Sequence, residues 1–433
     1  MRTNAMKVLW LCNIVLNDFA EVYNIKKKPF GGWMEGMLHA FDKGEVEFAL
    51  CFPINDENRM RNGFFHGCKY YSFHSVMDSG DYDHRWTEEF IRILEDYNPD
   101  VVHVWGTEYN HARNMVEACG TLGITSKVLI HIQGLITYYS IHYLDGIPEK
   151  YINLKNGKHL TLLEEKQNFE RRGENERTIF RMIDHVVDCS RWGERCTHLL
   201  NKEASFYFCQ DILRDAFYEC DRHWEYNNCE KQSIFMSQAS YPIKGLHYLL
   251  KAVSLVKREF KDVKLRIAGY SPMLPDQDGY ISGYGTYLYD LLKAYELENS
   301  IEFLGLMSTE QMIDRYLSCN VFISPSTIED PSNSICEAQI LGVPVLASAV
   351  GGAVDILDCQ TMDNAYPCDE WYILAEKIMY IFRCGDECDF INSIDKIRKN
   401  AWNRHDRKKV KDVMLKIYGD IASIDDNYMI VGE

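Results

Sequence analysis

The sequence predicts an α/β protein built from two tandem, doubly wound domains. Three observations carry this. Short apolar runs of strand length alternate with amphipathic segments of helical period along most of the chain, which is the pattern of βαβ units around a parallel sheet covered on both faces. The alternation lapses near 205–230 and then starts again. Finally, 433 residues exceed what one hydrophobic core usually serves.

In the first half the strand-like runs are KVLWLCNIVL (7–16), VEFALCF (46–52), VVHVWG (101–106), KVLIHIQG (127–134) and HVVDCS (185–190). Between them GWMEGMLHAF (32–41), RWTEEFIRILEDY (85–97) and YNHARNMVEACGTLG (109–123) have helical period. Residues 7–16 imitate the apolar part of a secretion signal, but NDFAEVYN follows where a small-residue cleavage site would stand, so the run reads as a first buried strand. Residues 138–180 are rich in Tyr, Glu and Arg and read as a loop-and-helix insertion of the kind that carries substrate contacts.

The second half repeats the pattern. Strands are expected at 233–239, 263–269, 300–305 and 321–326, with helices at 245–260, 284–297 and 308–319. The tail after 396 is helical and basic. The expected division is therefore a first domain over 1–210, a second over 211–395 and a helical tail over 396–433.

The composition, 46% hydrophobic and 26% charged, is that of a globular chain. A net charge of −17 excludes nucleic-acid binding driven by the overall field. Two basic islands, 26–28 and 396–411, stand out; they are either solvated faces or contacts to an anionic membrane. The 15 cysteines are odd in number, form no CxxC and sit largely inside apolar runs, as expected of reduced thiols in a cytoplasmic protein. No apolar run reaches the roughly 18 residues of a spanning helix.

Ligands of open parallel sheets bind beyond the carboxyl ends of the strands, where helix N-termini point outward. The stretch IEDPSNSICEAQILGVPVLASAVGG (328–352) offers that geometry: a strand, a loop holding Glu329, a short helix starting near Ser332–Ser334, and Pro344 opening the next strand. Glu337 has two readings. With Ser334 it spells a capping box, and as a cleft-facing carboxylate it accepts hydrogen bonds from a vicinal diol such as a ribose. Glu329 on its own is an ordinary solvated acid. Lys244-Gly245 lies in the first strand-to-helix turn of the second half, where an ammonium reaches phosphate oxygens and a glycine lets the backbone approach. Gly31-Gly32 occupies the matching turn of the first half, either for a similar approach or as a plain loop pair.

The ordered series Lys-Gly with its strand and helix (236–250), IAGYSP (267–272), and the run 303–357 with seven residues between Glu329 and Glu337 resembles the donor half of retaining nucleotide-sugar glycosyltransferases of family 4, which have the GT-B fold. In the first half FGGWMEGM, PDVVHVWGTEYNHA (99–112) and HIQGL (131–135) resemble the family's glycine loop and acceptor-side strand ends, and 403–421 resembles its closing helix. The resemblance implies two Rossmann-like domains facing a cleft, with the tail crossing back to the first. It implies that Glu329 touches the transferred sugar at the reacting carbon and that Glu337 holds the ribose. Lys244, Gly245 and the amides of Ser332, Asn333 and Ser334 would take the diphosphate, with Gly31 and Gly32 approaching it. The backbone of Gly305, Leu306 and Met307 would hold the base, and His131 and Gln133 would stand on the acceptor side. The nucleotide-diphosphate sugar is then the co-substrate, no metal is needed, and the acceptor is a glycan or lipid-linked saccharide of cell-surface polysaccharide synthesis.

Two departures from that family stand out. The arginine usually found about five residues before the lysine is missing from SQASYPIKG, which leaves Arg191 and Lys7 as candidate replacements. The usual His-Gly at the first-domain strand end is Gln133-Gly134 here, with His131 two residues earlier, so His131 is either functional or a buried structural residue. The lone DxD, Asp81-Tyr82-Asp83, follows no apolar strand and reads better as a helix cap at Asp83 than as a metal site. Competing functions are a nucleotide-sugar epimerase and a two-lobed sugar-binding protein. A further expectation is a peripheral membrane contact through Lys26, Lys27, Lys28, Phe30, Trp33 and the basic tail.

Overall fold

The computed structural model describes residues 5–23, 25, 31–42, 44–54, 61–65, 67–74 and 82–424. They form two compact units. The first comprises the described residues up to Tyr138, Phe169–Ile212 and those from His405 onward; the second comprises Tyr139–Asn168 and Leu213–Arg404.

The sheet of the first unit contains β1 (Met6–Leu11), β2 (Val46–Ile54), β3 (Arg61–Phe65), β4 (Cys68–His74), β5 (Val101–Trp105), β6 (Val128–His131), β7 (His185–Asp188) and β8 (Ser205–Phe208). Their order is β3-β4-β2-β1-β5-β6-β7-β8, and only the β3–β4 pair is antiparallel. The order reverses at β1, which pairs with β2 on one side and β5 on the other. Helix Arg85–Tyr97 shows why the helical period was legible: Phe90, Ile93, Leu94 and Tyr97 form one buried stripe on the sheet, and Asn98 closes it in the left-handed conformation at φ 50.

In the second unit β9 (Ser233–Met236), β10 (Lys264–Ile267), β11 (Ile301–Phe303), β12 (Val321–Ser324), β13 (Val345–Ser348) and β14 (Ala365–Tyr366) make an all-parallel sheet ordered β11-β10-β9-β12-β13-β14. This order reverses at β9, between β10 and β12. Each unit has its own core, one centred on Leu9, Val104 and Ile130 and the other on Phe235, Leu249 and Phe322.

The structure departs from the expected boundaries in three places. The first strand ends at Leu11 rather than near residue 16, and just beyond it the side chain of Asn13 accepts from His111. The insertion is divided: Tyr139–Asn168 joins the second unit, where Tyr151 and Leu162 enter the core and the Tyr151 hydroxyl donates to Asp290 at 2.6 Å. The tail leaves the second unit near 404 rather than 395. Helix Cys388–Arg404 buries Phe390 and Ile394 in the second core, and both Arg398 and Trp402 donate to the Ile340 carbonyl. Helix Arg407–Ala422 then belongs to the first unit, where Tyr418 accepts the Trp10 indole N–H at 3.0 Å.

The basic tail is therefore partly structural: Lys411 pairs with Asp42 at 2.7 Å and with Glu45 at 3.1 Å. Lys26, Lys27, Lys28, Phe30 and Asp81 lie outside the described residues. None of the fifteen cysteines forms a disulfide. No described helix is long and apolar enough to cross a membrane.

Candidate functional site

The candidate site lies in the second unit, at the carboxyl ends of β9 and β12, where the strand order reverses. After β9 the chain makes a short 3-10 turn over Pro242–Lys244 and enters helix Leu246–Glu259 through Gly245 at φ 70. A Cβ at Gly245 would stand 1.8 Å from the Pro325 carbonyl oxygen, so only glycine fits where this turn lies against the backbone leaving β12. The Thr327 amide, donating to the Ile243 carbonyl at 2.8 Å, ties the two turns together.

That contact brings Lys244 to Glu329. The ammonium donates to the two carboxylate oxygens at 3.1 and 2.9 Å. Burial pulls the Lys244 pKa down, but the facing Glu329 carboxylate outweighs it and holds the ammonium charged, its pKa well above the ordinary lysine value. Glu329 is 9% exposed, not the solvated acid its sequence context allowed, and it also accepts from the Ser326 hydroxyl at 2.7 Å. Its loop is fixed from three sides. The Gly352 amide donates to the Glu329 carbonyl at 2.9 Å, beside Gly351, where a Cβ would stand 2.1 Å from that oxygen. The Asp330 amide donates to the Tyr139 hydroxyl at 2.7 Å, and the Thr327 hydroxyl to the His142 carbonyl at 3.1 Å.

The capping-box reading of Glu337 is overturned. Helix Asn333–Ile340 begins two residues earlier than that reading requires, with Ser332 as the cap residue and no side-chain cap bond, so Glu337 is its fifth residue. Its carboxylate takes a two-pronged contact from Arg214, Nε to Oε1 at 2.7 Å and Nη2 to Oε2 at 2.8 Å. The third guanidinium nitrogen donates to Thr309 Oγ1 at 3.2 Å, and the Phe217 ring lies 4.9 Å from the guanidinium. Burial lowers the arginine pKa, but Glu337 more than offsets this and raises it. The true capping box in this region is Ser308 with Gln311, at the start of helix Thr309–Ser318.

Ser332, Asn333 and Ser334 form the start of helix Asn333–Ile340, the positive end of its dipole. Gly305 stands at φ 71 and pairs with Gly269 through a 2.8 Å amide-to-carbonyl bond, while Leu306 is 59% exposed and Met307 is half-buried.

In the first unit Gly31, at φ 89, caps helix Gly32–Ala40, and a Cβ there would meet the Ile14 side chain at 2.0 Å. His131 is buried at the end of β6. Its Nδ1 lies 3.2 Å from His103 Nε2, its Nε2 lies 3.5 Å from Asp211, and its ring stacks on Trp105. His103 continues this chain to the Tyr418 hydroxyl at 2.6 Å. The geometry thus favours the structural alternative for His131. Gln133 is half-buried beside Gly106. Neither candidate for the missing cation stands out. Lys7 is the second residue of β1, at the end of the sheet away from the strand carboxyl ends, and donates to the Tyr97 carbonyl; Arg191 is exposed at the start of helix Arg191–Leu200. The Asp83 carboxylate accepts the Arg85 amide at 3.0 Å, just ahead of the helix cap at His84.

His111 yields a pH prediction. Its Nε2 donates to Asn13 Oδ1 at 2.8 Å, and burial pushes its pKa from 6.5 down to about 3. The folded ring stays neutral while an unfolded histidine takes up a proton below 6.5, so this contribution to stability is present above 6.5 and is lost as the pH falls. Denaturant titrations at pH 7 and pH 5 are expected to show His111→Gln losing about 2 kcal/mol less than the unaltered chain over that interval.

Sequence reasoning missed Arg214, Tyr139, Ser326 and Gly351. Only the glycine pair at 351–352 carried a local signal; Ser326 acts on Glu329 three residues on, and Arg214 and Tyr139 act across long sequence separations.

Over residues 222–403 the chain matches the family model described as glycosyl transferases group 1. An uncharacterized glycosyltransferase of Methanocaldococcus jannaschii is 30% identical over 128 residues, 30% of each chain, so the match spans less than a third of that relative's length. Among solved structures, sucrose-phosphate synthase from Thermosynechococcus elongatus superposes with a TM-score of 0.67 at 14% identity, over 96% of this chain and 99% of that one. Anabaena HepE in complex with UDP-glucose gives 0.62 at 15% identity, over 96% and 100%. The chain has the fold of these two-domain, GT-B structures, and its second unit carries the stretch that matches the glycosyl transferases group 1 model.

Proposed function

We propose that the chain is a retaining, metal-independent glycosyltransferase that moves a sugar from a nucleotide-diphosphate sugar to a glycan or lipid-linked saccharide. The observation that carries this is the placement of Lys244, Glu329, Glu337 and the start of helix Asn333–Ile340 at the carboxyl ends of β9 and β12, inside the stretch that matches the glycosyltransferase model. Structures of similar fold solved in complex with UDP and with UDP-glucose support the donor class.

In this reading Lys244 and the helix dipole supply the positive charge that the leaving diphosphate needs as its bond to the sugar breaks. The Lys244 ammonium exchanges part of its contact with Glu329 for phosphate oxygens. Glu329, held by Ser326 and by its loop, then turns an oxygen toward the sugar, where a carboxylate stabilises positive charge at the reacting carbon. Glu337 accepts the ribose hydroxyls. The backbone turn at Gly305, with Leu306 exposed beside it, takes the base. Cysteines that form no disulfide support a reducing, cytoplasmic setting.

The test is a nucleotide-release assay over a panel of nucleotide sugars, run with and without saccharide acceptors and with a chelator. Release that requires an acceptor and survives chelation supports transfer. Interconversion of the sugar on its nucleotide, without any acceptor, would make the protein an epimerase instead.

A further inference from the structure

We propose that Arg214 is a specificity-determining residue that makes the nucleotide site selective for ribonucleotides over 2′-deoxyribonucleotides. The inference rests on the donor class proposed above and deepens it.

A carboxylate that is to accept two hydrogen bonds from a vicinal diol must present both oxygens in one fixed plane. A glutamate side chain alone does not, because its terminal torsion is broad. Arg214 removes that freedom. Its Nε and Nη2 each hold one oxygen of Glu337, at 2.7 and 2.8 Å, the parallel fork that sets both position and plane. The guanidinium is itself held, by Thr309 at 3.2 Å and by the Phe217 ring at 4.9 Å. Each carboxylate oxygen has about two lone-pair directions, so one per oxygen remains after the fork for a hydroxyl donor.

The pair is also electrically neutral as a unit. An unpaired Glu337 so close to the helix start would repel the diphosphate that the same helix attracts. Paired with Arg214, it receives a diol without that repulsion. A sugar lacking the 2′-hydroxyl leaves one oxygen of a buried carboxylate without its second partner, the kind of loss by which polar sites reject analogues most strongly.

The experiment measures binding of paired probes, UDP against 2′-deoxy-UDP, ADP against 2′-deoxy-ADP and GDP against 2′-deoxy-GDP, by calorimetry on the full chain. For whichever base binds, the unaltered protein is expected to prefer the ribonucleotide at least tenfold. In Arg214→Lys, which keeps the charge and loses the fork, the preference should fall to threefold or less. Thr309→Val, which loosens the guanidinium without touching Glu337, should reduce it partway, and it decides the matter if Arg214→Lys does not fold. An unchanged ratio in the folded variants overturns the proposal while leaving the donor class intact. No binding of any nucleoside diphosphate by the unaltered protein overturns the donor class, and this inference with it.

Discussion

Lys244→Ala is expected to lower kcat/KM for the donor by about 100-fold and Glu329→Ala by at least tenfold, the losses that follow removal of one preorganised transition-state contact. The two effects differ in kind. In the proposed mechanism Lys244 meets the diphosphate in both ground and transition states, so its loss should raise KM and lower kcat together. Glu329 is proposed to act where charge develops on the sugar, so its loss should fall mainly on kcat. The two side chains pair with each other at 2.9 Å, so the double variant should lose less than the product of the single losses. Each single change also leaves a largely buried charge with fewer partners, at a cost of about 1.5–3 kcal/mol. Melting curves recorded beside the kinetics separate that cost from the chemistry, since a folded variant that has lost activity is the expected result. Full activity in both alanine variants would remove the site from this part of the molecule.

Much of this site was legible because its residues stand in the short turns that leave parallel strands, and strands read as apolar runs. Lys244-Gly245 follows β9 and Glu329 follows β12, so predicting the strands placed both residues at one end of one sheet. The environment of Glu337 was not legible in the same way. A local pattern, Ser-x-x-Glu, pointed to a cap, whereas the helix starts at Asn333 and the carboxylate turns to Arg214, in a segment with no periodicity of its own. The contacts of Tyr139 and His142 with the Glu329 loop were hidden because a long insertion gives no sign of which unit it will join. Strand β4 was missed because Lys69, Tyr70 and Ser72 interrupt the apolar run that marks a doubly buried strand, and β3 because it opens on Arg61, Asn62 and Gly63.

The largest effect on stability is expected at Arg214. Glu337 is 4% exposed, and its carboxylate pairs there with a guanidinium whose side chain is 16% exposed. Arg214→Ala leaves that carboxylate buried without its counter-ion, at a cost of about 3–5 kcal/mol, whereas replacing both partners by apolar groups of similar volume is often close to neutral. Arg214→Met with Glu337→Leu should therefore recover most of the stability lost in the single variant, while restoring no nucleotide binding. Denaturant midpoints for the two variants, read beside calorimetry with UDP, ADP and GDP, check both halves. A single variant as stable as the unaltered chain would mean that water reaches Glu337 and replaces the guanidinium. A double variant that recovers stability but still binds would mean that the ribose contact lies elsewhere. If stability returns and binding does not, the ion pair is held in place by its ligand chemistry rather than by what it contributes to the fold, which would explain why a charged pair stands where an apolar one would serve folding as well.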